Sequence, residues 1–221
     1  MNSAVIQLLV LAAIAVFLIL RLRSVLGTRD GFERPVLPVA TDRPAERLRV
    51  EPPRAPGAPD NDIIDHVADG SGAAQALGAM KAAEPAFRVG DFLRGARGAY
   101  EMILLAFHRG DLTQVRAFLG PDVVHTFEET IAARHAQGLT VEATFVGVRE
   151  LVLDDAVYTA ATRTGEVTVR FVGEFTLVVR DKDGNVVEGS PNEIRRQRDV
   201  WTFARQMGSA DPNWQLVATS E

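Results

Sequence analysis

The sequence predicts an α+β protein: three N-terminal helices packed on a curved antiparallel sheet, preceded by a single transmembrane helix. Three observations carry this. Ala4 to Leu20 passes seventeen residues with no charge and only Gln7 polar. Between Phe92 and Phe107 the apolar residues recur at spacings of three and four, and from Thr140 onward the spacing drops to two. Helices gathered first and successive strands after them make one sheet over one helical layer.

With Met1 to Ser3, the run to the first arginine is twenty residues, which at about 1.5 Å per residue gives roughly 30 Å, the thickness of a hydrocarbon core. Twelve of the seventeen residues are Val, Ile, Leu or Phe, contributing on the order of −4 to −7 kcal/mol towards insertion. A cleaved secretory signal would bring a basic start and a small-residue cleavage site. Here no Lys or Arg precedes the run, and Arg21-Leu22-Arg23 follows it. The membrane flank of Arg21, Arg23 and Arg29 lies on the C-terminal side, which places the N-terminus outside and the body of the chain in the cytoplasm. Residues 1–26 are read as anchor and basic flank, 27–83 as a flexible linker, and 84–221 as the folded domain.

Seven of the eleven prolines lie between Pro35 and Pro59, with almost no large apolar residue among them, so this stretch cannot bury a core. A coil of some 35 residues spans roughly 30 to 36 Å, the reach of a tether. From Arg21 to Arg54 eight Arg stand against five acids, whereas Glu84 to Glu221 holds 20 acids and 15 bases. The basic arm lies on anionic lipid in one reading and is solvated in the other. Asp60 to Glu84 is Ala-rich and broken by Gly, with a short helix around Ala73 to Ala83 that packs on the domain or frays.

Glu84-Pro85 is expected to open the first domain helix, proline standing in its first turn. Phe92, Ala96, Ala99, Tyr100, Ile103, Leu104 and Phe107 stripe one face, and Arg109-Gly110 ends it. Asp111 is expected to cap a second helix running to Phe118. Gly120-Pro121 opens a third, which carries Val124, Phe127 and Ile131 inward and stops at Gly138.

Thr140 to Val148, Leu151 to Leu153 and Ala156 to Thr162 read as strand pieces. The clearest alternation is Glu166 to Arg180. Val167, Val169, Phe171, Phe175, Leu177 and Val179 share one face, and Glu166, Thr168, Arg170, Glu174, Thr176 and Arg180 the other. Fifteen residues at about 3.3 Å make nearly 50 Å of strand, so Gly173 is expected to mark a bulge or bend. Asp183-Gly184 turns the chain, Ile194 to Arg205 returns, Asp211-Pro212-Asn213 turns it again, and Trp214, Leu216 and Ala218 close the sheet.

The absence of cysteine excludes a disulfide framework and any thiolate site. A net charge of −5 gives no nucleic-acid footprint. The four histidines, His66, His108, His125 and His135, are scattered, and no pair has the i, i+4 spacing of helical metal ligands. Asp154-Asp155 reads as a solvated turn, and Arg170 with Glu174 as charges on a sheet exterior. Asp181-Lys182-Asp183-Gly184-Asn185 has its glycine fourth rather than sixth for a calcium loop, and reads as a hairpin. No phosphate loop, nucleophile elbow or oriented base is present, so neither a metal, a cofactor nor a catalytic residue is assigned. Tyr100, Phe107, Phe145, Phe171, Trp201, Phe203 and Trp214 either line a cavity or fill the core. Arg195, Arg196 and Arg198 either meet a lipid head group or acidic partner or form a solvated strand edge.

Four stretches carry a specific resemblance: Leu22 to Arg29, Gly95-Ala96-Arg97-Gly98-Ala99-Tyr100-Glu101-Met102-Ile103, Asp199-Val200-Trp201-Thr202-Phe203-Ala204-Arg205, and Asp211-Pro212-Asn213-Trp214 with Leu216-Val217-Ala218. Together they resemble bacterial members of the Tim forty-four-like family, relatives of the mitochondrial inner-membrane translocase subunit that scaffolds the import motor. The resemblance implies the cone form of the nuclear-transport-factor-two-like superfamily, with a cavity for lipid or apolar peptide. It also implies an adaptor in the bacterial inner membrane whose partners are membrane lipid and inner-membrane or chaperone proteins. Where the mitochondrial subunit has a long charged helical region, this chain has an apolar segment and a proline-rich tether, so a motor role is not implied. The rival reading is a cone-fold isomerase or dehydratase, or a tethered lipid-binding module.

Overall fold

A computed structural model describes residues 60–220. The apolar run, its arginine flank at Arg21, Arg23 and Arg29, and the linker up to residue 59 lie outside the described residues. Among those described, no helix is long and apolar enough to cross a membrane.

Among the described residues the chain is already helical before Glu84, so residues 60–83 do not belong to the expected flexible linker. Helix α1, Asn61–Ile64, is capped by Asp60. Helix α2, Gly72–Ala83, is capped by the Ser71 hydroxyl, which accepts from the Ala74 N–H at 3.1 Å. Its face of Ala73, Leu77 and Met80 follows helical spacing, and Leu77 and Met80 are fully buried. Two apolar side chains suffice because they enter the common core instead of forming a surface patch.

Helix α3, Val89–Arg109, is the central one. Glu84 does not open it but ends α2 as its C-cap residue. The residue at the α3 N-cap, Arg88, offers no side-chain cap. The Asp62 carboxylate does so from a distance in sequence, accepting from the N–H groups of Val89 at 2.9 Å and Gly90 at 3.0 Å. Lys81 holds the same carboxylate at 2.7 Å. Burial opposes the charge on Asp62, but Lys81 and the two N–H groups outweigh it and hold the carboxyl below its ordinary range. This network ties α1 and α2 to the start of α3. At the other end Gly110 adopts φ 77°, the left-handed cap.

The expected helix from Asp111 to Phe118 shrinks to a single 3-10 turn, Arg116–Phe118. Asp111 accepts from the Thr113 N–H at 2.9 Å and so caps a turn. Just before the 3-10 turn, buried Leu112 and Val115 are joined by a turn in which the Val115 N–H donates to the Leu112 carbonyl at 3.1 Å. Helix α4, Pro121–Ala136, starts on proline and buries Val123, Val124 and Ile131, with Phe127 half-buried.

Four strands follow: β1, Thr140–Thr159; β2, Thr164–Arg180; β3, Val186–Gln206; and β4, Gln215–Ser220. They pair in the order β1-β2-β3-β4, every neighbour antiparallel. The three strand pieces expected between Thr140 and Thr162 are one strand, bulged between Phe145 and Gly147, Val148 and Glu150, and Leu153 and Asp155. The bend expected at Gly173 therefore lies on the strand opposite, where Val148 pairs with Gly173. Gly173 has another reason to lack a side chain: a Cβ there would collide with the Tyr100 hydroxyl. The inner face expected for β2 is the observed one, with Val167, Val169 and Phe171 fully buried, Phe175 and Leu177 nearly so, and Val179 half-buried. It packs with Trp201 and Phe203 of β3 against Leu77, Met80, Tyr100 and Ile103.

Candidate binding groove

Helix α3 carries two aromatic neighbourhoods, and only one is open. In the closed one, Tyr100 stacks on Phe171 with ring centroids 4.4 Å apart and an interplanar angle of 9°. Trp201 lies 4.8 Å away and Phe145 edge-on at 6.1 Å. The Tyr100 hydroxyl donates to Asp199 Oδ2 at 2.6 Å, and Gln197 Nε2 donates to Oδ1 at 2.7 Å. Burial first, then the bond to Asp199 and its charge, push the phenol above its ordinary pKa. A carboxylate buried among rings is tolerated because it is hydrogen-bonded.

The open neighbourhood is a groove of about 390 Å³ along the exposed side of α3. Gly95, Ala96 and Ala99 form its floor, and their small side chains leave the space. Phe87, Phe92, Phe118 and Trp214 stand around it. Phe92 and Trp214 are 4.7 Å apart, and Phe87 and Trp214 5.8 Å. One end is closed by an ion pair in which Arg205 Nη2 meets Glu84 Oε1 at 2.6 Å, with the Arg205 side chain only 7% exposed. Arg205 also lies 5.3 Å over the Trp214 ring and donates to the Pro212 carbonyl at 3.2 Å. Burial works against the Glu84 charge. Arg205 and the Gly208 N–H outweigh it and hold the carboxyl low. Chemically, the groove offers apolar contact along its length and a fixed ion pair at one end.

The seven aromatic residues singled out from sequence thus separate. Tyr100, Phe171, Trp201 and Phe203 are core residues. Phe145 packs at the core's edge, and Phe107 packs on Phe127 at 4.6 Å with the Arg134 guanidinium over its ring. Only Phe203 and Trp214 reach the groove. Sequence reasoning missed Phe87, Phe118, Glu84 and Arg205 as groove residues, and read Phe92 only as core. The available signal was the small-residue row Gly95, Ala96, Ala99 on the most amphipathic helix.

The arginine cluster also divides. Strand alternation sets Arg195 on one face, beside Phe175, and Arg196 and Arg198 on the other. Arg195 pairs with Glu188 at 2.7 Å and Arg196 with Glu174 at 2.7 Å. On the outer face Arg170 holds Glu150 at 2.7 Å and Asp154 at 3.1 Å, so Arg170 and Glu174 have separate partners. His66 is exposed, His125 meets Glu129 at 3.3 Å on the surface, and His135 is exposed beside Gly110. His108 is mostly buried against Phe175 and Phe107, its Nε2 without a partner. Burial, then the charge of Arg134, lower its pKa to about 4. Asp181 accepts from the N–H groups of Asp183 and Asn185, both at 2.9 Å, closing the hairpin on itself. Among the described residues no cluster of three potential ligands for a metal occurs.

A family model described as the Tim44-like domain matches residues 73–221, beginning inside α2. The crystal structure of the intermembrane space region of chloroplast protein ARC6 is similar at 17% identity, over 58% of this chain and 94% of that one, with a TM-score of 0.39. No curated protein matches the chain.

Proposed function

The chain belongs to the Tim44-like domain family, and from that premise we propose that it is a membrane-held adaptor whose domain docks apolar segments of partner proteins. The observation that carries this reading is the groove: about 390 Å³, floored by Gly95, Ala96 and Ala99 and walled by aromatic rings. Such a surface favours an apolar occupant by removing its area from water, at about 25 cal/mol per Å². From Asp91 to Met102 the groove follows about 16 Å of helix, room for a short segment rather than a whole domain face.

The apolar run Ala4 to Leu20 and the arginines after it support a single span in the bacterial inner membrane, N-terminus outside and domain on the cytoplasmic side. The proline-rich composition from Pro35 to Pro59 supports reading that stretch as a tether between span and domain. Partners are inner-membrane or chaperone proteins, and the contribution is proximity rather than chemistry. The one carboxylate closing the groove, Glu84, is held by Arg205 and Gly208, an arrangement suited to structure rather than proton transfer. A photo-reactive residue at Ala99, irradiated in intact membranes, is expected to give adducts with membrane-assembly or chaperone proteins, while one at exposed Val146 gives none. Equal adducts at both positions, or none at Ala99, overturn the proposal.

A further inference from the structure

We propose that the groove takes one kind of occupant: an amphipathic α-helix of the partner, with a carboxylate set against Arg88. This rests on the docking reading and names the partner's chemistry. Backbone hydrogen bonding, the shape of the floor and charge each select it.

An extended segment brings an N–H and a C=O at every residue, and each needs a partner once water is excluded. The groove supplies few. The strand edge beside it, that of β4, is covered by residues 117–120: the Gly120 N–H donates to the Leu216 carbonyl at 2.8 Å, Leu119 bridges to Leu216, and Gln215 Nε2 donates to the Ala117 carbonyl at 3.3 Å. Glu84 is held by Arg205, and Asp91 by Arg94. A helix needs none of these groups, because its backbone is satisfied internally.

The floor fits the same guest. Gly95 and Ala99 are four residues apart and share one face of α3. With so little side chain between them and the groove, a second helix can approach closely. About 16 Å of floor corresponds to roughly three turns, or three apolar anchors at i, i+4 and i+7. Phe87, Phe92, Phe118 and Trp214 flank that row.

The charge follows. Glu84 with Arg205 and Asp91 with Arg94 are neutral pairs, and the N–H groups at the start of α3 are taken by Asp62. Arg88 is left over. It lines the groove and is exposed, its Nη1 donates to the Pro85 and Phe87 carbonyls, and among the described residues no carboxylate pairs with it. An acidic residue at the end of the guest's apolar row meets it as a charge-assisted pair.

The test uses full-length protein in phosphatidylcholine nanodiscs and fluorescent designed peptides of about 18 residues, long enough to be helical. Each carries Leu at i, i+4 and i+7 and a Glu one turn beyond either end of that row, so both orientations bring a carboxylate to Arg88. Binding is read as the anisotropy change that Ala99→Phe discs lack, which removes the peptide's affinity for lipid from the signal. Exchanging the Glu residues for Lys is expected to weaken binding about threefold to tenfold, and Arg88→Glu to reverse that order. A central proline in the peptide is expected to weaken it about a hundredfold. Equal binding with the proline overturns the helical guest. An order of Glu and Lys peptides that Arg88→Glu leaves unchanged overturns the acidic one, and no binding overturns both. Photo-adducts at Ala99 in intact membranes test the docking reading separately. Adducts that form while the peptide outcomes fail remove only the guest's chemistry, whereas peptides that behave as expected without any adduct remove the adaptor reading.

Discussion

The two aromatic neighbourhoods of α3 are built from the same residue types around adjacent positions of one helix, Ala99 and Tyr100, and reach opposite outcomes. Around Tyr100 the rings interlock and the remaining polar atoms are paired, so the space is filled. Around Ala99 and Gly95 the helix contributes almost no side-chain volume, and Phe87, Phe92, Phe118 and Trp214 are left facing a gap. Aromatic content therefore does not distinguish core from site in this domain. The volume offered by the helix beneath the rings does, because a close-packed interior leaves a void only where small residues face large ones.

Four experiments break or sharpen that contrast, the largest effect first. Tyr100→Ala opens a cavity inside the closed neighbourhood and leaves Asp199 short of its donor. Urea unfolding should show a loss of about 3–5 kcal/mol, and a loss below about 1 kcal/mol would mean the two neighbourhoods are equally loose.

His108 packs between Phe107 and Phe175 farther along α3, and its depressed pKa makes a prediction of definite sign. The unfolded chain takes up the proton near the ordinary value of 6.5, whereas the folded chain resists it until about 4. Stability is therefore full above pH 6.5 and falls, by up to about 3 kcal/mol, as pH drops from 6.5 to 4. His108→Gln should flatten that part of the pH profile of the urea midpoint. Asp62 and Glu84, whose folded pKa values are lowered, act in a separate and more acid window, losing their contribution as pH falls below the ordinary carboxylate range.

Asp62→Ala removes the distant cap of α3 at the groove's end, expected to cost about 1–2 kcal/mol with faster amide exchange at Val89 and Gly90. Unchanged exchange there would show that α1 and α2 do not brace the open neighbourhood. Ala99→Phe is expected to have the smallest effect on stability, within about 0.5 kcal/mol, because the added ring enters empty space. Adduct formation from a photo-reactive residue at Met102, on the same groove wall, should nevertheless fall about tenfold. A large loss of stability would mean that the groove is already packed.

Much of the fold was legible from short-range pattern. The stripe from Phe92 to Leu104, the inner face from Val167 to Leu177, the stop at Gly110 and the hairpin at Asp183-Gly184 all depend on residues a few positions apart. Other features depend on distant partners. The cap of α3 comes from Asp62, 27 residues before Val89. Helix α2 is held by a core built mostly after it. The continuity of β1 depends on register with β2, which absorbs extra residues as bulges. The arginine cluster divides for another reason: Arg195, Arg196 and Arg198 are close in sequence, but the two-residue period of a strand sets Arg195 on one face and Arg196 and Arg198 on the other.

The sequence by itself determined which residues turn inward, since helical and strand periods are local and burial follows them. Only the tertiary structure decided which inward-turning rings meet a partner and which meet a gap. That depends on segments around residues 87, 118 and 205–214 converging on three small residues of one helix, and no local period encodes what lies across the space from a side chain.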